Sequence, residues 1–214
     1  QAGRVKRITH QAGVTTREFG SLGETVAETL ILKAAVNGGA PPPVYTTRYD
    51  FDTFGRLQVL TLPDREDVIH SYDAGGNVKQ IAGTFEGRPY DYLKSLAYDK
   101  FEQRTRMVVG NRVATDYSYD PRNRRLATLN SAAPNDPALQ QLAYTYDAVG
   151  NITQLANNAP VPPSNTFGGP TGQTFNYDDL YRLVSAQGFH QAAHERNDYT
   201  LYMQYDPTHN ITHK

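Results

Sequence analysis

The feature that most constrains this chain is a tyrosine–aspartate signal that comes back along its whole length. Tyr49-Asp50-Phe51-Asp52-Thr53-Phe54-Gly55-Arg56-Leu57 is followed by Tyr72-Asp73-Ala74-Gly75-Gly76-Asn77-Val78, and the same order recurs around Asp99, Asp120, Asp147, Asp178 and Asp206. A degenerate copy, Phe19-Gly20-Ser21-Leu22-Gly23-Glu24, carries Gly where the others carry Asp. With the Asp position taken as a slot, the slots fall at 20, 52, 73, 99, 120, 147, 178 and 206, so neighbours lie 21 to 32 residues apart. A motif that holds while its spacing varies marks one supersecondary unit with insertions absorbed between copies.

That unit reads as a β-hairpin. Ahead of the slots, large residues alternate: Tyr90, Tyr92, Leu96 and Tyr98 share one parity, as do Tyr199, Leu201, Met203 and Tyr205. Period two with aromatic residues means strand. The slot Asp then suits the first corner of a type I turn, where its carboxylate accepts from backbone N–H groups ahead. A Gly three residues on supplies the left-handed residue that makes a hairpin with a bulge. The candidate structural site is therefore Gly20, Gly23, Asp52, Gly55, Asp73, Gly76, Asp99, Asp120, Asn123, Asp147, Gly150, Asp178 and Asp206. Asn123 and His209 stand in for the Gly and tolerate positive φ. Glu102 and Tyr181 tolerate it poorly, each losing roughly 1–2 kcal/mol if the left-handed geometry is kept; for those two turns another shape is the alternative.

Eight hairpins give about sixteen strands, a strip roughly 77 Å wide at about 4.8 Å per strand. Open sheets seldom exceed about ten strands without curling, and a wall of sixteen or more encloses a lumen that side chains cannot fill. The expected fold is all-β: tandem antiparallel hairpins in a curved strip, part of a hollow barrel-like shell. Composition agrees. With Gly counted in and Tyr left out, apolar residues are roughly 39% of the chain and Trp is absent, where about 45–50% is usual for an ordinary globular domain. Residues 1–214 read as a single array and a fragment of a larger shell, because Gly3-Arg4-Val5 resembles the tail of a ninth copy and no initiator Met stands at the start. Asn210-Ile211-Thr212 reads as half a hairpin at the other end, so the strip alone should present open edges. Asn37-Gly38-Gly39-Ala40-Pro41-Pro42-Pro43 and Ala159-Pro160-Val161-Pro162-Pro163-Ser164 have loop composition, and Gln187 to Asp198 reads as a third insertion with room for one turn of helix.

Little else in the sequence carries chemistry. A net charge of −1 with interspersed signs argues against a nucleic-acid partner, and the Arg104, Arg106, Arg112, Arg122, Arg124 and Arg125 group is compensated by acids. No cysteine is present, so there is no disulfide or thiolate site, and no run of 18 apolar residues would insert in a membrane. His190 and His194 are spaced as on a helix, but Gln191 stands where a zincin needs Glu. His209 and His213, on a strand, lie about 13 Å apart. The Asp-x-x-Gly-Asn turns lack the extra carboxylates of a calcium loop. The tyrosine stripes are a conceivable sugar platform, with packing on a sheet face as the default. No catalytic triad, metal or cofactor is expected, and the chain reads as not an enzyme.

The Tyr-x-Tyr-Asp-x-x-Gly-Arg/Asn-Leu/Ile pattern resembles the Rhs/YD-repeat family over nearly the whole chain. Tyr98-Asp99-Lys100-Phe101-Glu102-Gln103-Arg104, Tyr177-Asp178-Asp179-Leu180-Tyr181-Arg182-Leu183 and His209-Asn210-Ile211-Thr212 are similar to its bacterial branch, which includes the C components of insecticidal toxin complexes. The resemblance implies a ribbon of sheet spiralling into a secreted or cell-surface shell. That shell would encapsulate a toxic C-terminal domain, with the remaining repeats and a delivery or plug component as partners. The family's self-cleaving end carries Asp-Pro-x-Gly; Asp120-Pro121, Asp136-Pro137 and Asp206-Pro207 lack that Gly, so the activity does not transfer here. Animal teneurins share the repeat and use it in adhesion, which leaves a cell-surface adhesion or carbohydrate-binding module as the alternative.

Overall fold

The computed structural model describes residues 3–33, 41–161 and 168–214. Asn37 to Ala40 and Pro162 to Ser164, from the two loop-like stretches, lie outside the described residues. The chain is all-β, with eighteen strands among the described residues and no helix. It divides into two compact units, Gln1–Leu96 and Ala97–Lys214.

The first unit holds β1 (Arg7–Thr9), β2 (Gly13–Phe19), β3 (Thr25–Leu32), β4 (Val44–Phe51), β5 (Leu57–Thr61), β6 (Asp67–Tyr72) and β7 (Val78–Phe85), with most of β8 (Arg88–Tyr98). In the second lie β9 (Arg104–Val109), β10 (Ala114–Tyr119), β11 (Leu126–Ala132), β12 (Ala138–Tyr146) and β13 (Ile152–Asn157). They are followed there by β14 (Thr171–Tyr177), β15 (Leu183–Gln191), β16 (Arg196–Tyr202), β17 (Gln204–Tyr205) and β18 (Ile211–His213). Within each unit a strand pairs antiparallel with the next in sequence, β17 and β18 forming a small hairpin of their own. Asn210-Ile211-Thr212 therefore has a partner on one side: Tyr205 faces Ile211.

The period-two pattern sets the two faces of each sheet. In the second unit Tyr117 opposes Leu129, Leu129 opposes Leu142, Tyr144 opposes Leu155, and Phe175 and Leu201 flank Ala186. The other face pairs Ser118 with Thr128, Thr145 with Gln154, and Gln187 with both Thr174 and Thr200. Among the described residues of the unit, no second layer covers the apolar face. Only Ala27, Val68, Leu93, Ala159 and Ala186 are buried apolar residues among those described. That is the single-layer sheet that the low apolar content implied.

The stretch from Gln187 to Asp198 corrects one expectation. It forms no helical turn; it is the tip of a hairpin in which Phe189 faces Asp198 and Gln191 faces Arg196. Helical spacing of His190 and His194 competed there with strand propagation, and a ready ladder on β14 decided it.

Candidate functional site

All eight slot-preceding aromatics end a strand: Phe19, Phe51, Tyr72, Tyr98, Tyr119, Tyr146, Tyr177 and Tyr205. Each slot residue then opens a turn. Its N–H donates to the carbonyl four residues on at 2.9–3.0 Å in seven of the eight copies, from Gly20 to Glu24 through Asp206 to Asn210. Just before the aromatic, the pairing shifts register by one residue, as between Asp50 and Phe51 or Asn176 and Tyr177. This is the bulged hairpin expected from Asp-x-x-Gly.

The slot carboxylates cap the turns. Asp52 Oδ1 accepts from Phe54 N and Arg56 N at 2.9 Å each; Asp178 repeats this with Leu180 N and Arg182 N. Asp99 accepts from Phe101 N and Gln103 N, Asp147 from Gly150 N and Asn151 N, and Asp206 from Thr208 N and Asn210 N. These donors favour the ionised form. The bond from Asn77 N holds the Asp73 carboxyl below its usual value, and Arg182 N does the same for Asp178. Thr208 and Asn210 bring Asp206 down to about 2. At Asp52, Asp99 and Asp147, desolvation pushes upward and the summed hydrogen bonds outweigh it.

Two turn expectations change. Glu102 (φ 61°) and Tyr181 (φ 61°) keep the left-handed geometry; neither turn takes another shape. His209 follows at φ 67°, and Gly55 and Gly76 occupy the position without strain. Asn123, by contrast, is not the left-handed residue. That turn is one residue longer, with Asp120 N donating to Arg125 O, and Arg124 has φ 63°. The extra residue carries the Arg124 guanidinium back to the preceding turn, where it donates to Asp99 and Gln103 and lies 3.9 Å over the Phe101 ring. Asn123 instead caps locally, its Oδ1 accepting from Arg125 N.

The residues that link one hairpin to the next were not read from the sequence. The slot-preceding tyrosine donates its hydroxyl to a backbone carbonyl at the start of the previous hairpin's return strand. The pairs are Tyr72 to Leu57, Tyr119 to Arg104, Tyr146 to Leu126, Tyr177 to Ile152 and Tyr205 to Leu183, at 2.6–2.9 Å. The geometry is constant. The ladder between hairpins ends at Val59/Ile69, Arg106/Asp116, Thr128/Ala143, Gln154/Thr174 and Ser185/Tyr202; each tyrosine lies three residues beyond that pair and each carbonyl two residues before it. The hydroxyl thus closes the gap where two hairpins splay apart. Burial pushes the hydroxyls of Tyr119, Tyr146 and Tyr177 upward, keeping them protonated as donors.

The fourth residue after the slot adds a second link. Arg56 pairs with Asp52 at 2.7 Å and lies 4.3 Å over the Tyr72 ring of the next copy; Arg182 pairs with Asp178 and lies 4.6 Å over Tyr205. In the longer turn the fifth residue takes this place: Arg125 lies 5.6 Å over Tyr146 and donates to Asp147 O. Arg4 lies 5.4 Å over Phe19. The signal available in the sequence was Tyr over Phe in six of the eight positions, a preference for a hydroxyl that packing alone does not require.

Other chemistry is sparse. Among the described residues no group of three or more His, Asp or Glu is placed to hold a metal. His190 lies on β15 with its Nε2 3.1 Å from Gly168 O, and His209 Nδ1 lies 3.2 Å from Arg182.

No protein-family model matches the chain. It is 32% identical over 162 residues to toxin subunit YenC1 of Yersinia entomophaga, covering 69% of this chain and 16% of that protein. To toxin subunit YenC2 of the same organism it is 31% identical, over 61% of this chain and 16% of that one. The crystal structure of TcdB2-TccC3-Cdc42 superposes with a TM-score of 0.82 at 29% identity, covering 99% of this chain and 12% of that chain. The Photorhabdus luminescens Tc holotoxin pore matches with a TM-score of 0.79 at 29% identity, over 99% of this chain and 11% of that one. This chain thus spans about a sixth or less of the proteins it matches, and over that span it belongs to the Rhs/YD-repeat family, similar to the C subunits of bacterial toxin complexes.

Proposed function

We propose that this array is a wall segment of an exported bacterial toxin shell. It would close with further repeats of the same protein around a lumen that holds a toxic C-terminal domain, while a delivery or plug component engages the assembled shell. The observation that carries the reading is the linked rim. The repeated Asp, Tyr and Arg side chains are engaged in capping turns or joining hairpins, which suits a wall and leaves none of them for catalysis. The apolar face, without a second layer of its own among the described residues, also suits a lining that meets other polypeptide. On this reading residues 1 to 214 are one continuous array without catalytic activity, metal or nucleic-acid partner.

The adhesion or glycan reading gains no support. Guanidinium groups lie over Tyr72, Tyr146 and Tyr205, and Phe189 lies between Gly172 and Arg196, so these four rings offer a sugar no open face, while Tyr199 and Tyr202 on β16 are exposed.

The test is protease protection in the native full-length protein. The domain downstream of the array should resist digestion in the intact protein. It should become cleavable when Tyr72, Tyr119, Tyr146, Tyr177 and Tyr205 are all changed to Phe. Cleavage of that domain at the same rate in both proteins would defeat the shell reading. Residues 1 to 214 expressed alone should associate edge to edge; a monomer by sedimentation at tens of micromolar would count against a wall that needs its neighbours.

A further inference from the structure

Among the described residues, the joint that leads from the first turn to the second shows neither link. Between the turn at Gly20 and the turn at Asp52, Phe51 stands where five other copies place a hydrogen-bonded tyrosine, and the fourth residue after the slot is Glu24, not Arg. Ring and carbonyl are nonetheless in register. The ladder between these hairpins ends at Ala27/Arg48, which puts Phe51 three residues beyond and Thr25 two residues before, as in the linked joints. Among the described residues no cation lies over Phe51.

A cavity of about 400 Å³ opens at this joint, lined by Glu24, Val26, Tyr49, Phe51 and Asp52 among others. Glu24 folds back over Gly20, so close that a Cβ there would collide with its carboxylate. The carboxylate missing from the slot is thus returned from four residues on. It is not fully satisfied, because Glu24 Oε2 is buried and accepts no hydrogen bond. A buried carboxylate oxygen without a donor is costly until one reaches it. Arg56 is already committed to Asp52, Phe54 and Tyr72, so it is not that donor.

We propose that this cavity receives an arginine side chain from another polypeptide segment, its guanidinium stacking on Phe51 and donating to Glu24. Four joints place a guanidinium on the aromatic in cis, Arg4 on Phe19, Arg56 on Tyr72, Arg125 on Tyr146 and Arg182 on Tyr205, and Arg56 and Arg182 also pair with a slot carboxylate. This joint offers the aromatic and a surplus carboxylate without the guanidinium. A planar cation fits better than an ammonium, since it can lie flat on the ring while pairing with a carboxylate edge-on. The inference does not depend on what the shell encloses.

Hydrogen–deuterium exchange of the native protein tests it, with N-acetyl-argininamide as the probe. At about 10 mM, well above a dissociation constant on the order of 1 mM, the probe should slow exchange at least twofold in segments 20–26 and 49–56. N-acetyl-citrulline amide, its uncharged isostere, should not. Glu24→Gln should abolish the difference between the two probes. Glu24→Arg, which supplies the guanidinium in cis, should slow the same segments with no probe added. Unchanged exchange in both segments with the arginine probe, or equal slowing by the citrulline compound, would overturn the proposal.

Discussion

The two rims of these sheets build the same turn for different ends. On the rim opposite the slots, Leu62 N donates to Glu66 O and Arg65 N to Leu62 O; Val109, Arg112 and Val113 repeat the arrangement. Arg65 (φ 73°) and Arg112 (φ 70°) take the left-handed position, as Gly55 and Tyr181 do on the slot rim. Capping comes from the third residue, with Asp64 accepting from Glu66 N and Asn111 from Val113 N. The backbone shape therefore needs neither a slot Asp nor a Gly. What the repeated residues add is the bond from one hairpin to the next. On the opposite rim of the first unit, buried Glu66 accepts from the hydroxyls of Tyr90 and Tyr92, and Lys33 Nζ donates to His10 O at 2.7 Å.

The comparison breaks most readily at the tyrosines. Changing Tyr72, Tyr119, Tyr146, Tyr177 and Tyr205 together to Phe should destabilise the array by about 5 kcal/mol, at about 1 kcal/mol per hydroxyl bond, read by chemical denaturation. A loss below about 1 kcal/mol for all five would mean that the ladders alone hold the hairpins together.

Acid should act on the slot rim next. The folded values of Asp73, Asp178 and Asp206 lie below those of the unfolded chain, so their stabilisation is complete above about pH 4 and is lost as pH falls through the folded values. Melting temperature should hold from pH 7 to about 5 and drop steeply between about pH 4 and 2. Asp73→Ala should remove part of that drop and lower the melting temperature at pH 7 by about 2–4 °C. Asn111→Ala, on the other rim, should leave the acid profile unchanged.

A smaller effect tests whether the turns are equivalent. Tyr181→Gly on the slot rim and Arg112→Gly opposite should each stabilise by about 1 kcal/mol, since both relieve a left-handed side chain. Unequal gains would show that the rims differ in backbone strain as well as in linkage. Smallest of all, Phe51→Tyr places a hydroxyl at the Thr25 carbonyl and should add about 0.5–1 kcal/mol; no gain in thermal melting would mean the constant offset does not suffice to form the bond.

How much of this was legible follows from which residues act locally. Turn position, strand ends and the alternating faces depend on neighbours in sequence, so Asp52, Asp147 and Asp178 announce them. The hydroxyl bonds join residues 15 to 25 apart whose meeting depends on register, which no single copy encodes. Asn123 misled for a related reason. Its turn is longer by one residue so that Arg124 can reach Asp99, a gain visible only in the neighbouring hairpin. The turns at Leu62 and Val109 have neither Asp at the motif's first position nor Gly at its fourth, so no repeat revealed them.

The one-sided placement of the tyrosine bonds has a mechanical consequence. In the second unit a pull that separates neighbouring hairpins meets backbone ladder plus a tyrosine hydroxyl at the slot end, and mostly ladder at the far end. Tearing should therefore start at the far end and run toward the slots, stopping at the tyrosine. Each such joint would behave as a hinge pinned along one edge, able to fan open and close again without losing its register.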